Sequence, residues 1–391
     1  MKHRYVWLLS AGHMFTDLNQ GALPAILPFL ILESNMNYGA AAGLVFAANF
    51  ASSIVQPLFG HFADKISKPW LMPVGVLMAG LGLAAVGFLS NYWFLFAAVT
   101  ISGIGIAAFH PEAARMANRV SGEKKGTGIS IFSVGGNAGF ALGPVISTTA
   151  LLLCGLKGTL VLIVPAAVMA AALALQAKKL QEFQVLTKSQ GNTDSSVNTA
   201  DEWGPFSRLT VVVFCRSAIF YGLNTFLPLY WINVFQQSKA VSGTALTILF
   251  TVGAIGTLFG GRIADRFGYI KVIRVGFALL LPLLLFFTKI DNVALATLLL
   301  IPIGLSLFAP FSPMIVLGQK YLPNRIGLAS GVTLGLAVSV GGITTPILGW
   351  FADHYGLLQA MNLITYVPVL AIIMALTLTI PGGKVPVKED G

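Results

Sequence analysis

Long apolar stretches separated by short polar breaks dominate this chain. Twelve of them are close to the roughly 20 residues a helix needs to cross a hydrocarbon core. They run 5–32, 40–63, 70–89, 92–117, 127–153 and 158–177, then 208–234, 241–263, 270–289, 292–319, 326–352 and 357–380. One break is long and polar. Residues 178–207 open with Lys178, Lys179, Glu182 and Lys188 and continue Gln190-Gly191-Asn192-Thr193-Asp194-Ser195-Ser196. Such a composition cannot build a packed core and reads as a linker with a mobile middle. The pattern predicts an all-α membrane protein of twelve transmembrane helices in two pseudo-symmetric six-helix bundles. The expected units are bundle 1–177, linker 178–207 and bundle 208–391 with a short polar tail.

The two bundles repeat one another. Gly60-His61-Phe62-Ala63-Asp64-Lys65 ends the second stretch and Gly261-Arg262-Ile263-Ala264-Asp265-Arg266 ends the eighth. Leu27-Pro28 is matched by Leu227-Pro228, Phe109-His110-Pro111 by Phe311-Ser312-Pro313, and Gly143-Pro144 by Thr345-Pro346. A near-constant offset of about 200 residues marks a duplicated half and sets the architecture before local detail does. Two matched halves in lipid suit alternating access, one half rocking against the other around a central site. The repeated motif is expected to gate it. Gly60 and Gly261 would let neighbouring helices pack tightly. Asp64 and Asp265, beside Lys65 and Arg266, would cap a helix N-terminus or pair with a cation. A third copy, Gly349-Trp350-Phe351-Ala352-Asp353, falls on the opposite face and reads only as a helix end.

Composition agrees with a bilayer as solvent. Of 391 residues 56% are hydrophobic and 10% charged, against about 25% charged in a soluble domain. The net charge of +10 is a matter of topology. Leaving Arg115 and Arg216 inside their stretches, Lys157, Lys239 and Lys289 are the only cations on one side, and all others lie in the alternate connections and at both ends. Lys and Arg gather in cytoplasmic loops, so both termini are expected in the cytoplasm and no nucleic-acid partner is needed to explain the charge. Cys154 and Cys215 show neither pairing nor metal-ligand spacing. No Ser-His-Asp or Cys-His set has a nucleophile's context, so an enzyme is not expected. No Gly-x-x-x-x-Gly-Lys-Ser/Thr loop is present, so ATP is not expected as the energy source, and no cofactor is expected.

An ionisable group inside a spanning segment is costly and is a functional candidate by default. His13 and Asp17 are spaced i, i+4 on one helical face, with Gln20 a further three residues along it. Counted from Tyr5 at 1.5 Å per residue, Asp17 lies about 18 Å deep, near the midplane. The fourth stretch carries His110, Glu112 and Arg115, and His110, counted back from residue 118, lies about 12 Å deep, similar to His13. Asp17 or Glu112 is the candidate to take and release a proton, and His13 and His110 the candidates to relay it, imidazole being the group that titrates near neutrality. Arg115 would hold an anionic part of a substrate, or hold Glu112 charged until substrate competes, or form with Glu112 a permanent structural pair. Asn137, Arg216, Tyr221 and Asn224 are candidate substrate contacts. Pro111, Pro310 and Pro313 are expected to interrupt the fourth and tenth helices. Gly327, Gly331 and Gly335 are expected to mark close helix packing.

The doubled Gly-x-x-x-Asp-Lys/Arg motif resembles the cytoplasmic loop signature of the major facilitator superfamily. A narrower likeness rests on Gln56-Pro57-Leu58-Phe59-Gly60, Pro69-Trp70, Phe109-His110-Pro111-Glu112-Ala113-Ala114-Arg115, Gly135-Gly136-Asn137-Ala138-Gly139, Gly143-Pro144 and Leu322-Pro323-Asn324-Arg325-Ile326-Gly327. These resemble bacterial fosmidomycin-resistance proteins. The resemblance implies helices 1 and 4 lining a common cavity, a monomer in the bacterial cytoplasmic (inner) membrane, and proton-driven efflux of a small drug-like or anionic compound. One departure points elsewhere. Antiporters of the superfamily often read Gly-Pro-x-x-Gly-Gly in helix 5, and here Ser147-Thr148 stands in place of the glycine pair. A proton-linked importer of a small organic anion or sugar is therefore the rival reading, and a non-transporting membrane receptor a second one.

Overall fold

The computed structural model describes residues 3–65, 69–121, 125–187, 200–325, 328–329 and 331–382, and within these the side chains of 54–65 and of some other residues lie outside the description. Every regular element among the described residues is helical. The first half holds α1 (His3–Ser34), α2 (Tyr38–Lys65), α3 (Leu71–Ala85), α4 (Tyr92–Val120), α5 (Lys125–Cys154) and α6 (Ile163–Thr187). The second holds α7 (Trp203–Asn233), α8 (Lys239–Phe267), α9 (Tyr269–Phe287), α10 (Val293–Phe308), α11 (Phe311–Tyr321), α12 (Ala337–Tyr355) and α13 (Leu357–Leu376). Helices α10 and α11 form one crossing, broken at Ala309–Pro310. Ten apolar stretches are long enough to span a bilayer, one of which, Ile131–Glu182, contains both α5 and α6, and Tyr38–Ala51 is the described apolar part of α2. This is the twelve-helix membrane architecture.

What faces outward is apolar. Leu153 and Leu175 are about 80% exposed and Leu298 62%. Burying a leucine is worth about 1.5–3 kcal/mol, so a surface of this kind is stable only against acyl chains.

The halves repeat in detail. Ser10 of α1 donates its hydroxyl to the Ile131 carbonyl at 2.7 Å, and Gly135, four residues on, lets the α5 backbone close on Ser10. Ser217 of α7 donates to the Ala337 carbonyl, and Gly341, again four residues on, lies against Ser217 and Tyr221. Along α5, Gly135, Gly139 and Gly143 meet the backbone of α1 at Ser10, Met14 and Leu18. Small residues at every fourth position are how helices approach closely where no hydrophobic force separates helix from lipid.

The start of α1 and the end of α13 lie on one face of the bundle. There Arg274 donates to the carbonyls of Ala375, Leu376 and Leu378, and Arg208 to that of Thr377, closing the C-terminal end of α13. On the opposite face, helices start on their own caps. Asn91 accepts from Trp93 N–H, Ser238 from Val241 N–H and Asn292 from Leu295 N–H. Helix α2 is capped twice. Asn37 accepts from Ala40 N–H, and Asp353, at the end of α12 in the other half, accepts from Tyr38 N–H at 2.7 Å and Gly39 N–H at 2.8 Å. The third motif copy thus has a structural role. Its glycine, Gly349, lies against Tyr38, Gly39 and Ala42, and its aspartate bonds across the halves. The same seam includes Thr345 against Ala42, Gly342 against Asn49, Thr148 against Gly243 and the Lys239 ammonium over the Phe29 ring.

Three expectations change. Helix α6 continues ten residues into the expected linker, because Lys178-Lys179-Leu180-Gln181-Glu182 are good helix formers and Leu180 remains buried. The middle of that linker, 188–199, lies outside the described residues. Pro111 does not interrupt α4, whereas Pro310 does separate α10 from α11. Gly331 faces open space within a π-helical turn, Gly331–Leu336, so it marks no close packing; Gly327 lies outside the described residues, as does anything beside Gly335.

Removing the cross-half cap should loosen this face. With Cys154 and Cys215 replaced, a cysteine at the buried Ala42 should react several-fold faster with a membrane-impermeant maleimide once Asp353 is alanine, since two charge-assisted bonds are lost. An unchanged rate would mean the carboxylate does not hold the seam.

Candidate functional site

Helices α1, α4 and α5 meet around Asp17. Its carboxylate is 4% exposed. His13 Nε2 lies 3.1 Å from Oδ2, and His110 Nε2 lies 2.9 Å from Oδ1. The His13 ring stacks on Phe132, with centroids 4.2 Å apart, and stands edge-on to the His110 ring at 5.0 Å. His13 Nδ1 is 2.9 Å from the Phe132 carbonyl oxygen.

That last contact fixes a proton count. A carbonyl only accepts, so His13 Nδ1 carries a proton. The His13–Asp17 contact then needs a second proton, on Nε2 or on the carboxyl, and the His110–Asp17 contact needs a third. Two neutral imidazoles with an ionised carboxylate supply only two. The three contacts together therefore call for at least one proton more than two neutral imidazoles and an ionised carboxylate carry. The three donor atoms lie within 4.8 Å of one another, near enough to gather around a small cation as well. The separations of 2.9 and 3.1 Å, each nitrogen aimed at a different oxygen, match a hydrogen bond in each gap.

Helix α5 seats this cluster through a glycine. A Cβ on Gly136 would fall 2.5 and 2.6 Å from the His13 ring and 2.7 Å from Asp17 Oδ2. Asn137, the next residue, is half-buried on the same helix.

The other expected groups fall into separate sets. Glu112, 1% exposed, pairs with Arg115, whose Nη2 lies 2.9 and 2.7 Å from the two carboxylate oxygens. Gln20 donates to Asn49 Oδ1 at 3.2 Å and, with Asn19 and Asn224, lines a cavity between the halves. Arg216 on α7 stacks over Phe311 at 4.4 Å and lies 5.8 Å from the Phe220 ring centroid; its Nη1 is buried with no hydrogen-bond partner. Tyr221, 4% exposed, lies one position beyond Phe220 on α7. For the repeated motif the side chains of Gly60, Asp64 and Lys65 lie outside the described residues. In the second copy Gly261 faces open space, which corrects the expectation that it brings helices together; Gly260 does so instead, against Ala309. Asp265 accepts from the Tyr269 hydroxyl at 2.9 Å and caps no helix, while the Arg266 guanidinium lies over Phe267. Residues missed from sequence are Asn19, Asn49, Phe132, Gly136 and Asp353. The two asparagines were open to the rule used for charges, applied to uncharged amides inside apolar stretches.

Comparison with known proteins now bears on this arrangement. The Major Facilitator Superfamily model matches residues 9–346. The chain belongs to the major facilitator superfamily. It is 32% identical to the MFS-type transporter YfnC of Bacillus subtilis, covering 94% of this chain and 90% of that protein. It is 27% identical to the fosmidomycin resistance protein of Escherichia coli, covering 96% and 92%. In fold it is similar to a bacterial homologue of the human lysosomal transporter Spinster, with a TM-score of 0.80, 14% identity and 96% of each chain covered. As a superfamily member the chain is a multi-pass membrane transporter and not an enzyme.

Changing Gly136 to alanine should act like a direct hit on the cluster. Overpacking of this kind costs about 1–3 kcal/mol, so the purified variant should melt lower yet remain monodisperse, and its transport should fall as far as that of an Asp17 variant. Normal transport would show that α5 does not set the cluster's geometry.

Proposed function

We propose that this transporter couples proton movement to the efflux of a small drug-like or anionic compound by alternating access. The observation that carries this reading is the buried His13–Asp17–His110 cluster, whose contacts call for a shared proton. Its place near the mid-bilayer suits a group that must exchange with both sides. The contacts between halves described above lie towards the face opposite the termini, so this conformation is one closed on that face. With the termini in the cytoplasm, as the lysine and arginine distribution supports, it is an inward-facing state. Here the cluster gives its proton to the cytoplasm and the cavity takes up substrate. After the rocking motion, substrate leaves outward and the cluster is protonated again. Arg216, buried against two aromatic rings with an unpartnered Nη1, is placed to meet an anionic group. Glu112 and Arg115, already engaged with each other, form the second charged pair of this half. The protein works as a monomer in the cytoplasmic membrane of a bacterium, without a cofactor.

A proton-linked importer of a small organic anion or sugar is the second reading. It is favoured by Ser147-Thr148, where Thr148 fills a seam contact with Gly243 in place of a glycine pair. Direction of flux in whole cells separates the two.

Fosmidomycin is the first compound to try, since one relative is named for resistance to it. In proteoliposomes, flux should follow an imposed pH gradient, and Asp17→Asn should reduce gradient-driven flux at least about tenfold while leaving substrate binding measurable. Flux indifferent to the gradient in the unaltered protein would refute proton coupling. Arg216→Gln should raise KM for an anionic substrate roughly tenfold with a smaller change in kcat, as expected for a lost charge-assisted contact. An unaltered KM would remove Arg216 from the site.

A further inference from the structure

The three side chains of the buried cluster are also a set of metal ligands. His13 and His110 each turn Nε2 toward a different oxygen of the Asp17 carboxylate, at 3.1 and 2.9 Å. The three donor atoms come from two helices and lie within 4.8 Å of one another. Zinc-type ions sit about 2.0–2.2 Å from imidazole nitrogen and carboxylate oxygen, which in a tetrahedron sets such atoms about 3.3–3.5 Å apart. Each nitrogen–oxygen gap here needs to open by only a few tenths of an ångström.

The surroundings hold these atoms as ligands are held. His13 donates Nδ1–H to the Phe132 carbonyl at 2.9 Å. A ligating histidine is bonded in this way at its outer nitrogen, which fixes the tautomer and turns the lone pair of the other nitrogen inward. Phe132 also stacks on the His13 ring at 4.2 Å, and the His13 and His110 rings stand edge-on at 5.0 Å, so both rings are fixed in place. The imidazole side chains are 14% and 21% exposed, against 6% for Asp17, so an ion reaches the nitrogens from the open side. Three protein ligands with a fourth position left to water is an arrangement zinc accepts. Two nitrogens and one oxygen favour a first-row transition ion, whereas calcium and magnesium require oxygen throughout.

We propose that His13, Asp17 and His110 form a binding site for a divalent transition-metal ion of the zinc and cobalt type, and that this ion and the shared proton exclude one another. The ion takes the lone pairs that the proton would bridge, so at least one proton leaves as one dication enters. The binding stands on geometry alone. Its consequence, arrest of the cycle while the ion is bound, rests on the transport reading.

Cobalt(II) is the probe, because its visible absorption reports coordination. The sample is the full-length protein in nanodiscs, without a histidine tag and with Cys154 and Cys215 replaced. One ion per protein should bind with the intense visible bands of four-coordinate cobalt, and zinc should displace it. His13→Gln and His110→Gln keep an N–H for Asp17 and remove a ring lone pair. Each, once its melting profile is found unaltered, should bind the ion at least about tenfold more weakly, whereas His354→Gln on the outer face should bind it as before. Should neither variant fold, X-ray absorption of the zinc-loaded unaltered protein should count two imidazoles. Fewer than two imidazoles, cobalt spectra of the free aqua ion, or binding unchanged in both variants would overturn the site. In proteoliposomes, saturating zinc should lower gradient-driven flux at least about tenfold and a chelator should restore it; full flux at saturation would overturn the competition. Gradient-driven flux in a protein that binds no ion would remove this inference and keep the transport reading. One ion bound to a protein whose flux ignores the gradient would do the reverse.

Discussion

A carboxylate in the middle of a bilayer must have its charge compensated, and the first half of this protein is organised by that requirement. Placing an aspartate at a helix centre in lipid costs about 2.5–3.5 kcal/mol on insertion scales. Asp17 meets the cost with two imidazoles, one from its own helix and one from α4. Bringing them together demands that α1, α4 and α5 converge more closely than ordinary side chains permit. The glycines of α5 at 135, 136, 139 and 143 allow it, each opposite a different turn of α1. The Phe132 carbonyl then orients His13, so the backbone of α5 both seats the cluster and sets its proton count. A packing detail and a chemical property have one cause here.

The cations illustrate how one residue can serve topology and structure together. Arg208 and Arg274 count among the cations whose distribution leads to the expectation of cytoplasmic termini. In the fold they also close the C-terminal end of α13 by donating to its last carbonyls. Lys239, one of the few on the other face, lies over Phe29 across the seam. Asp353 does the complementary work at a helix start, where a negative charge is favoured by exposed N–H groups. The first N–H and last C=O groups of a helix lack partners within it, and these side chains supply them.

Much of this was legible in the chain. Hydropathy and the 200-residue repeat predicted the twelve helices, because lipid permits so few alternatives. The spacing of His13 and Asp17 predicted one face, and the depth of His110 predicted its approach. What could not be read was which partners each group would choose. Glu112 and His110 are two positions apart on α4, so they point in different directions, and only His110 binds Asp17. Gly60 and Gly261 looked equivalent in the repeat, yet Gly260 is the residue that meets a neighbouring backbone. A motif shows that a close approach exists; the helix rotation, which a one-residue shift alters by about 100°, decides which residue makes it. The third motif copy was legible as a sequence and opaque in role, since its partner lies more than 300 positions away.

Duplication did not keep the halves chemically alike, and the difference gives the transporter its polarity. The same device, a serine bonded to a carbonyl four residues before a glycine, joins α1 to α5 and α7 to α12. Just beyond it, one half carries the His13–Asp17–His110 cluster and the other carries Arg216 and Tyr221. Asn19 of one half and Asn224 of the other line one small cavity. Rocking the halves apart cannot preserve all such contacts, whereas contacts inside one half survive it. Asp17, His13 and His110 belong wholly to one half, so the proposed proton site would remain intact through the cycle while the grip on substrate is made and broken. In the proposed cycle the link between the two would be α1, the helix that carries Asp17 and, within one turn of it, Asn19 and Gln20.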